Sequence, residues 1–209
     1  YIGNLNVLKW ARANDCPWNE LACTLTVRYN RLNILKWLRS QDPPCPWNKW
    51  LTIYATENGN LESLKWAVEN GCDWKSKHVS IYAAKHGHIH ILKWLHEIKS
   101  NWDEYTCMYA AGNGHLEILK WLRERDCPWD ARICSYAAEK GQLEILKWAR
   151  ENNCPWNEQT TIQAAKSNQL KTLKWCIENG CLYSEWTMSW AARCGHINIV
   201  KYLHEKGCD

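Results

Sequence analysis

The chain has 209 residues, of which 46% are hydrophobic and 23% charged, so it can bury a continuous core and is not disordered. Its 26 basic and 22 acidic side chains leave a net charge of +4. This imbalance is too small for the concentrated basic surface that phosphate binding needs, and it disfavours nucleic acid as a partner. No apolar run approaches the roughly 18 residues of a membrane span, so we expect no membrane partner.

Tryptophans recur in two columns at intervals of 27 to 29 residues. The first column, in or near "LKW", comprises Trp10, Trp37, Trp66, Trp94, Trp121, Trp148, Trp175 and Tyr202. The second column, in or near "CPW", comprises Trp18, Trp47, Trp74, Trp102, Trp129, Trp156 and Tyr183. A period of this length indicates stacked supersecondary units, and a ring repeated at one position is expected to pack in their core.

The sequence of each unit predicts two helices, as residues 103–129 illustrate. Asp103 can cap a first helix, Gly114 breaks it, and the apolar spacing of "LEILKWL" predicts a second helix. Pro128 then ends the second helix and is expected to hold Asp126 and Cys127 in extended geometry.

The period predicts a single repeat domain over residues 1–209. Its parts are a leading half-repeat, 1–18, and the repeats 19–47, 48–74, 75–102, 103–129, 130–156, 157–183 and 184–209. The chain begins inside a repeat, and the last repeat keeps Ile197, Ile199, Val200 and Leu203 where a terminal cap would be polar. We therefore expect a piece of a longer chain.

The stretches "YAAGNGHLEILKWLRE" (109–124), "YAAKHGHIHILKWLHE" (82–97) and "WAARCGHINIVKYLHE" (190–205) resemble ankyrin repeats. The resemblance implies an all-α solenoid of stacked helix-turn-helix repeats that binds proteins through its concave face. These units are about six residues shorter than the 33 of ankyrin repeats, which implies truncated β-hairpin fingers. The short Cys-Pro-Trp variety is similar to ankyrin sets of giant DNA viruses and some unicellular eukaryotes. A tetratricopeptide array would have a longer period.

Seven cysteines share one repeat column: Cys16, Cys45, Cys72, Cys127, Cys154, Cys181 and Cys208. Stacked helices lie about 8–10 Å apart, whereas a disulfide needs Cα atoms within about 7 Å. We expect small buried thiols in a cytoplasmic or otherwise intracellular protein, in a host cell if the origin is viral.

The sequence predicts no metal, cofactor or catalytic site. His86, His88, His90 and His96 are close in sequence, but 88 and 90 point in different directions on a helix. The nucleophile, base and orienting acid of an enzyme do not occur at plausible spacing. A lysine column also lies beside glutamates three or four positions away, which predicts a charge-balanced solvated face. Its members are Lys9, Lys36, Lys65, Lys93, Lys120, Lys147, Lys174 and Lys201.

The candidate site lies on the first helices, where paired residues four positions apart share one face. The pairs are Trp50 and Tyr54, His78 and Tyr82, Tyr105 and Tyr109, Arg132 and Tyr136, and Trp186 and Trp190. Positions 21, 50, 78, 105, 132, 159 and 186 vary widely against a constant background, as a binding surface would. Tyrosine and tryptophan also dominate interface hot spots.

We therefore expect a monomeric repeat domain that binds an unidentified protein. Its extended or helical segment would lie across residues 48–156, centred on Tyr82, Tyr109 and Tyr136. The polar rim would be Arg132, Glu57, Lys85 and Glu139. In one alternative, the inner ring of each pair only seals the gap between neighbouring first helices. In another, the array is a structural spacer whose activity resides in flanking domains.

Overall fold

The computed structural model describes residues 4–75, 77–99 and 102–208. This part of the chain contains fifteen α-helices and no strand. The helices are α1 Leu5–Ala13, α2 Glu20–Arg28, α3 Leu32–Arg39, α4 Lys49–Glu57, α5 Leu61–Glu69, α6 His78–Lys85, α7 Ile89–Glu97, α8 Glu104–Gly112, α9 Leu116–Arg123, α10 Ala131–Glu139, α11 Leu143–Glu151, α12 Glu158–Lys166, α13 Leu170–Glu178, α14 Glu185–Arg193 and α15 Ile197–Glu205. The predicted all-α helical solenoid is confirmed.

The helices fall in two compact units, Tyr1–Asn101 and Trp102–Asp209. The leading stretch 1–18 contains α1, and each later repeat contains a first helix, even-numbered, and a second helix, odd-numbered. In the first unit, α4 packs between α2 and α6; in the second, α8, α10, α12 and α14 pack in that order. Each second helix packs on the first helix of its own repeat.

Six first helices begin at a polar cap directly after the second tryptophan column or Tyr183. The caps are Asn19, Asn48, Asp103, Asp130, Asn157 and Ser184. Each cap side chain accepts a hydrogen bond from the amide two residues later, which satisfies a donor that the helix leaves unpaired. The predicted cap at Asp103 is confirmed, with 3.1 Å between its Oδ1 and the Tyr105 amide nitrogen.

The turns between helices depend on residues in the left-handed backbone region. Gly114 has φ of +88° after α8, and Asp126 has φ of +55° after α9. The prediction of extended geometry at Asp126 was therefore wrong. The left-handed residue instead turns the Cys127 amide back to the Leu122 carbonyl, 3.1 Å away, which satisfies an acceptor at the helix end.

The core consists of aliphatic and small side chains and excludes the tryptophans. Leu119 and Leu122 on α9 and Ala110 on α8 are fully buried. Trp121, two positions after Leu119 and thus about 200° around the helix, is only half-buried. The same holds for the other ring positions of both columns, except Trp10, which is exposed, and Tyr202, which is buried. The expectation that the tryptophans are core residues was therefore wrong, because they form a layer between core and solvent.

Candidate functional site

Near its start, each first helix carries a residue at the same repeat position, and these residues form a column in the sequence; all but the half-buried Arg132 are exposed. We call it the outer column; it comprises Leu21, Trp50, His78, Tyr105, Arg132, Gln159 and Trp186. Four of its members are large apolar side chains with exposed fractions of 58% (Leu21), 48% (Trp50), 41% (Tyr105) and 61% (Trp186). Of the predicted site residues, the structure thus exposes Trp50, Tyr105 and Trp186. Leu21 was absent from the predicted site, although its place in the variable column could have shown it.

Polar helix caps fix the backbone at six of the seven positions of this column, all except His78 on α6. The amide of Trp50 lies 3.0 Å from Oδ1 of Asn48, and that of Trp186 lies 3.2 Å from Oγ of Ser184. Each helical residue turns about 100° from the one before it. In α8 the exposed Tyr105 is therefore followed by the fully buried Thr106. The caps hold the outer side chains on solvent-facing positions of a fixed backbone.

Arg132 occupies the outer column but is engaged within the fold. Its Nη2 lies 2.7 Å from Oδ2 of Asp130 and 2.9 Å from Oε1 of Glu104, and its guanidinium lies 4.8 Å from the Tyr105 ring centroid. The hydrogen bonds that Arg132 donates lower the pKa of Asp130, whereas the pKa of Glu104 is lowered by a hydrogen bond from its own backbone amide and, next, by Arg132. Arg132 thus connects α8 to α10, and its charge is already balanced.

The second ring of each predicted pair lies one turn further along the first helix. We call these half-buried residues the inner column: Tyr54, Tyr82, Tyr109, Tyr136 and Trp190. The Tyr109 and Tyr136 rings meet edge to face with centroids 5.5 Å apart. Tyr136 also fills the space beside Gly112, where an added Cβ would lie 2.1 Å from Cδ1 of Tyr136. Burial raises the pKa of the Tyr136 hydroxyl. These contacts favour a sealing role between neighbouring first helices.

Cations lie over three inner rings. Nζ of Lys140 is 5.3 Å from the Tyr136 centroid and 2.9 Å from Oε1 of Glu139. Trp190 lies between Lys166 and Arg193, whose charged groups are 5.0 and 5.1 Å from its centroid. In the first unit, Nζ of Lys85 lies 5.6 Å from the Tyr82 centroid, and Oε1 of Glu57 lies 4.0 Å from Nε2 of His86. The predicted rim residues Glu57, Lys85 and Glu139 thus border the inner column.

The histidines contact backbone carbonyls of the preceding repeat. Nε2 of His88 lies 2.9 Å from the carbonyl oxygen of Glu57, and Nε2 of His90 lies 3.0 Å from that of Gly59. His196 makes the equivalent contact with Lys166 at 3.0 Å. Within the described ranges, no group of three or more histidine, cysteine or acidic side chains could hold a metal ion. These contacts assign the three histidines to the connection between repeats.

Sequence reasoning missed how arginines complete the tryptophan layer. Trp129 and Trp148 meet edge to face with centroids 5.9 Å apart, and the guanidinium of Arg123 lies 4.1 Å from the Trp129 centroid. Arg123 also donates a hydrogen bond to the Cys127 carbonyl, 2.5 Å away. The available signal was an arginine two residues after the first-column tryptophan, as in "WLR" and "WAR".

Repeated helical hairpins, joined by short turns and packed in register, define a helical-repeat protein. A family model described as "Ankyrin repeats (3 copies)" matches residues 51–133 and 134–209. The chain therefore belongs to the ankyrin repeat family, whose repeats are generally protein-interaction modules.

The fold is also similar to a solved structure, the ankyrin repeat domain of human ASB11. The TM-score is 0.59 and the sequence identity 16%, over 76% of this chain and 84% of that chain. This likeness shows a shared fold. The search of curated proteins found no match. Among the described residues, no helix is both long and apolar enough to cross a membrane.

Proposed function

We propose that this chain is a protein-interaction module whose partner contacts the outer column of the first helices. The observation that carries the proposal is the distribution of exposed apolar side chains. Four of the ten large hydrophobic side chains that are exposed in the described part of the chain occupy this one repeat position. Single exposed apolar residues are common on protein surfaces, so it is their recurrence at one repeat position that supports an interaction surface here.

The chemistry of the column suits a protein partner. Trp50, Tyr105 and Trp186 offer large rigid contact area with one polar tip each, and such side chains are enriched among interface hot spots. The lysine column of the second helices gives no comparable support for nucleic acid, because lysines there stand beside carboxylates, so the face is not the concentrated basic surface that phosphate binding needs. Lys120 and Lys147 lie 2.9 and 3.0 Å from the carboxylates of Glu117 and Glu144.

The inner column would support this surface by holding neighbouring first helices together. Tyr109 and Tyr136 contact each other, so they can hold neighbouring first helices together and still offer their exposed ring edges to a partner. The proposed centre of contact therefore moves from the inner rings to Trp50 in the first unit and to Tyr105 and Trp186 in the second. A spacer function, the alternative, would need none of these rings.

The test is a pair of alanine substitutions at exposed positions. Tyr105→Ala with Trp186→Ala should weaken binding to proteins recovered with the wild-type chain by roughly 2–4 kcal/mol, because hot-spot rings contribute most of the binding energy. Binding would be measured by titration calorimetry with each purified partner. Helix content, followed by circular dichroism, should not change, since neither side chain belongs to the buried core.

Leu182→Ala is the matched control, because Leu182 is 72% exposed but lies outside the outer column. It should leave affinity unchanged. Equal affinity of the Tyr105 and Trp186 double variant and the wild type would contradict the proposed surface and favour the spacer function.

A further inference from the structure

The second helices carry two equivalent depressions in the tryptophan layer of the second unit. The first is lined by Lys120, Arg123, Glu124, Trp129, Trp148 and Asn152. The second is lined by Lys147, Arg150, Glu151, Trp156, Trp175 and Asn179. Each has a volume of about 410 Å³. Every residue of the second set follows its counterpart by 27 positions, so the same site occurs twice, one repeat apart.

The walls of both depressions are fixed by tryptophan contacts between neighbouring repeats and by arginine contacts within one repeat. Trp129 packs edge to face on Trp148, and Trp156 packs likewise on Trp175 with centroids 5.7 Å apart. The guanidinium of Arg150 lies 4.4 Å from the Trp156 centroid and donates to the Cys154 carbonyl, as Arg123 does in the first depression. All four tryptophans are half-buried, so part of each ring remains accessible. A ligand would therefore meet two prearranged aromatic surfaces.

The spacing of the two depressions suits a polyproline II helix. Stacked helices lie about 8–10 Å apart, which sets the distance from one repeat to the next. A polyproline II helix has three residues per turn and rises about 3.1 Å per residue, so it presents equivalent side chains about every 9.3 Å. Such segments dock on aromatic surfaces and lose little conformational entropy, because they are already extended.

The charges at the depressions favour an acidic ligand. Each depression is lined by one lysine, one arginine and one glutamate, so cations outnumber carboxylates by two to one. Glu117 and Glu144, which pair with the two lysines, have side chains that are 81% and 77% exposed. Exposed pairs of this kind are worth at most about 1 kcal/mol, so a bound carboxylate can compete for the lysines.

We propose that the two depressions bind a proline-rich peptide in polyproline II conformation, with an acidic residue at every third position. One proline per turn would pack on each tryptophan pair, while the acidic side chains would face Lys120 and Lys147. This surface lies on the second helices and is separate from the outer column of the first helices. The inference goes beyond the proposed function and does not depend on it.

The test uses a fluorescently labelled peptide of five Pro-Pro-Glu triplets and the full chain, with binding followed by anisotropy. A peptide of five Gly-Ser-Glu triplets has the same charge and spacing but no preformed polyproline II helix. A third peptide repeats Pro-Ser-Pro-Glu and therefore has a four-residue period. The Pro-Pro-Glu peptide should bind at least about tenfold more tightly than either control. If the Gly-Ser-Glu peptide binds equally tightly, charge alone accounts for the interaction and the proposal is overturned.

Substitutions in the chain locate the contact. Lys120→Glu with Lys147→Glu should weaken binding of the Pro-Pro-Glu peptide at least about tenfold, and Trp148→Leu should weaken it similarly. If circular dichroism shows that Trp148→Leu unfolds the chain, the result for the Lys120 and Lys147 double variant decides the test. Tyr105→Ala, on the other surface, should not change the affinity. Unchanged binding after the lysine substitutions, or an equal loss with Tyr105→Ala, would overturn the proposal.

Discussion

At the scale of single residues, the buried cysteine near the end of a repeat contacts the residue that begins the same repeat. Sγ of Cys127 lies 3.5 Å from the carbonyl oxygen of Asp103, and Sγ of Cys181 lies 3.4 Å from that of Asn157. In each case the acceptor belongs to the residue that caps the first helix of the same repeat. The thiol is thus a small buried donor, which explains why this repeated position holds a cysteine.

We predict that only two of the twelve thiols react rapidly in the folded protein. Cys16 and Cys194 are exposed, whereas the other ten are buried. Burial raises the pKa of Cys72 and Cys181 to about 11 and that of Cys176 to about 12, so few of these groups are reactive thiolates near pH 8. Titration with a chromogenic disulfide should show a fast phase of two thiols and, after unfolding in guanidinium, all twelve. A fast phase of more than two thiols would contradict the buried assignment.

At the scale of helices, the caps should contribute measurable stability. Asp130→Ala removes the acceptor for the Arg132 amide, 2.9 Å from Oδ1, and should lower the free energy of unfolding by about 1–2 kcal/mol. Asp130→Asn is the matched control, because asparagine caps the equivalent first helices at Asn19, Asn48 and Asn157. It removes only the partly exposed ion pair with Arg132 and should cost less than about 1 kcal/mol. Urea denaturation would measure both; equal losses would show that the ion pair, not the cap, stabilises α10.

The packing of Tyr136 gives a second prediction at this scale. Gly112→Ala should destabilise the chain by about 1–3 kcal/mol despite the better helix propensity of alanine, because the new Cβ would overlap the Tyr136 ring. In a Tyr136→Ala background the same change should be neutral or stabilising, and a double-mutant cycle in urea would measure the difference. Lys166→Ala, at the equivalent position of α12, should have little effect. A neutral Gly112→Ala would contradict the packing of the inner column.

The sequence was sufficient for features that depend on local geometry and periodicity. The cap at Asp103, the break at Gly114 and the two helices of each repeat follow from residue preferences within a few positions. The sequence periodicity could not show which side chains of different helices lie in contact. Periodicity placed Trp121 among the apolar residues but could not show that a second tryptophan and an arginine would hold it half-buried at the surface. Likewise, Tyr105 and Tyr109 share one helical face, yet only the neighbouring helix α10 determines that the second ring packs inward.

At the scale of the whole molecule, each repeat offers two different surfaces. The first helices expose the outer column, and the second helices carry the tryptophan layer with its stacked arginines. Family membership explains the stacked helical pairs. The account predicts that substitutions on one surface leave binding at the other unchanged. The double variant Tyr105→Ala with Lys120→Glu should therefore lose affinity for each partner by the same factor as the corresponding single variant.

The central claim is that a protein partner lies on the outer column, and site-specific photo-cross-linking tests it most directly. A benzophenone amino acid would replace Tyr105 in one variant and Glu117, an exposed residue of α9, in another. Each full-length variant would be irradiated with a purified partner of the wild-type chain. We expect a covalent adduct from position 105 that Trp186→Ala diminishes, and little adduct from position 117. Efficient adducts from position 117 and none from position 105 would contradict the claim.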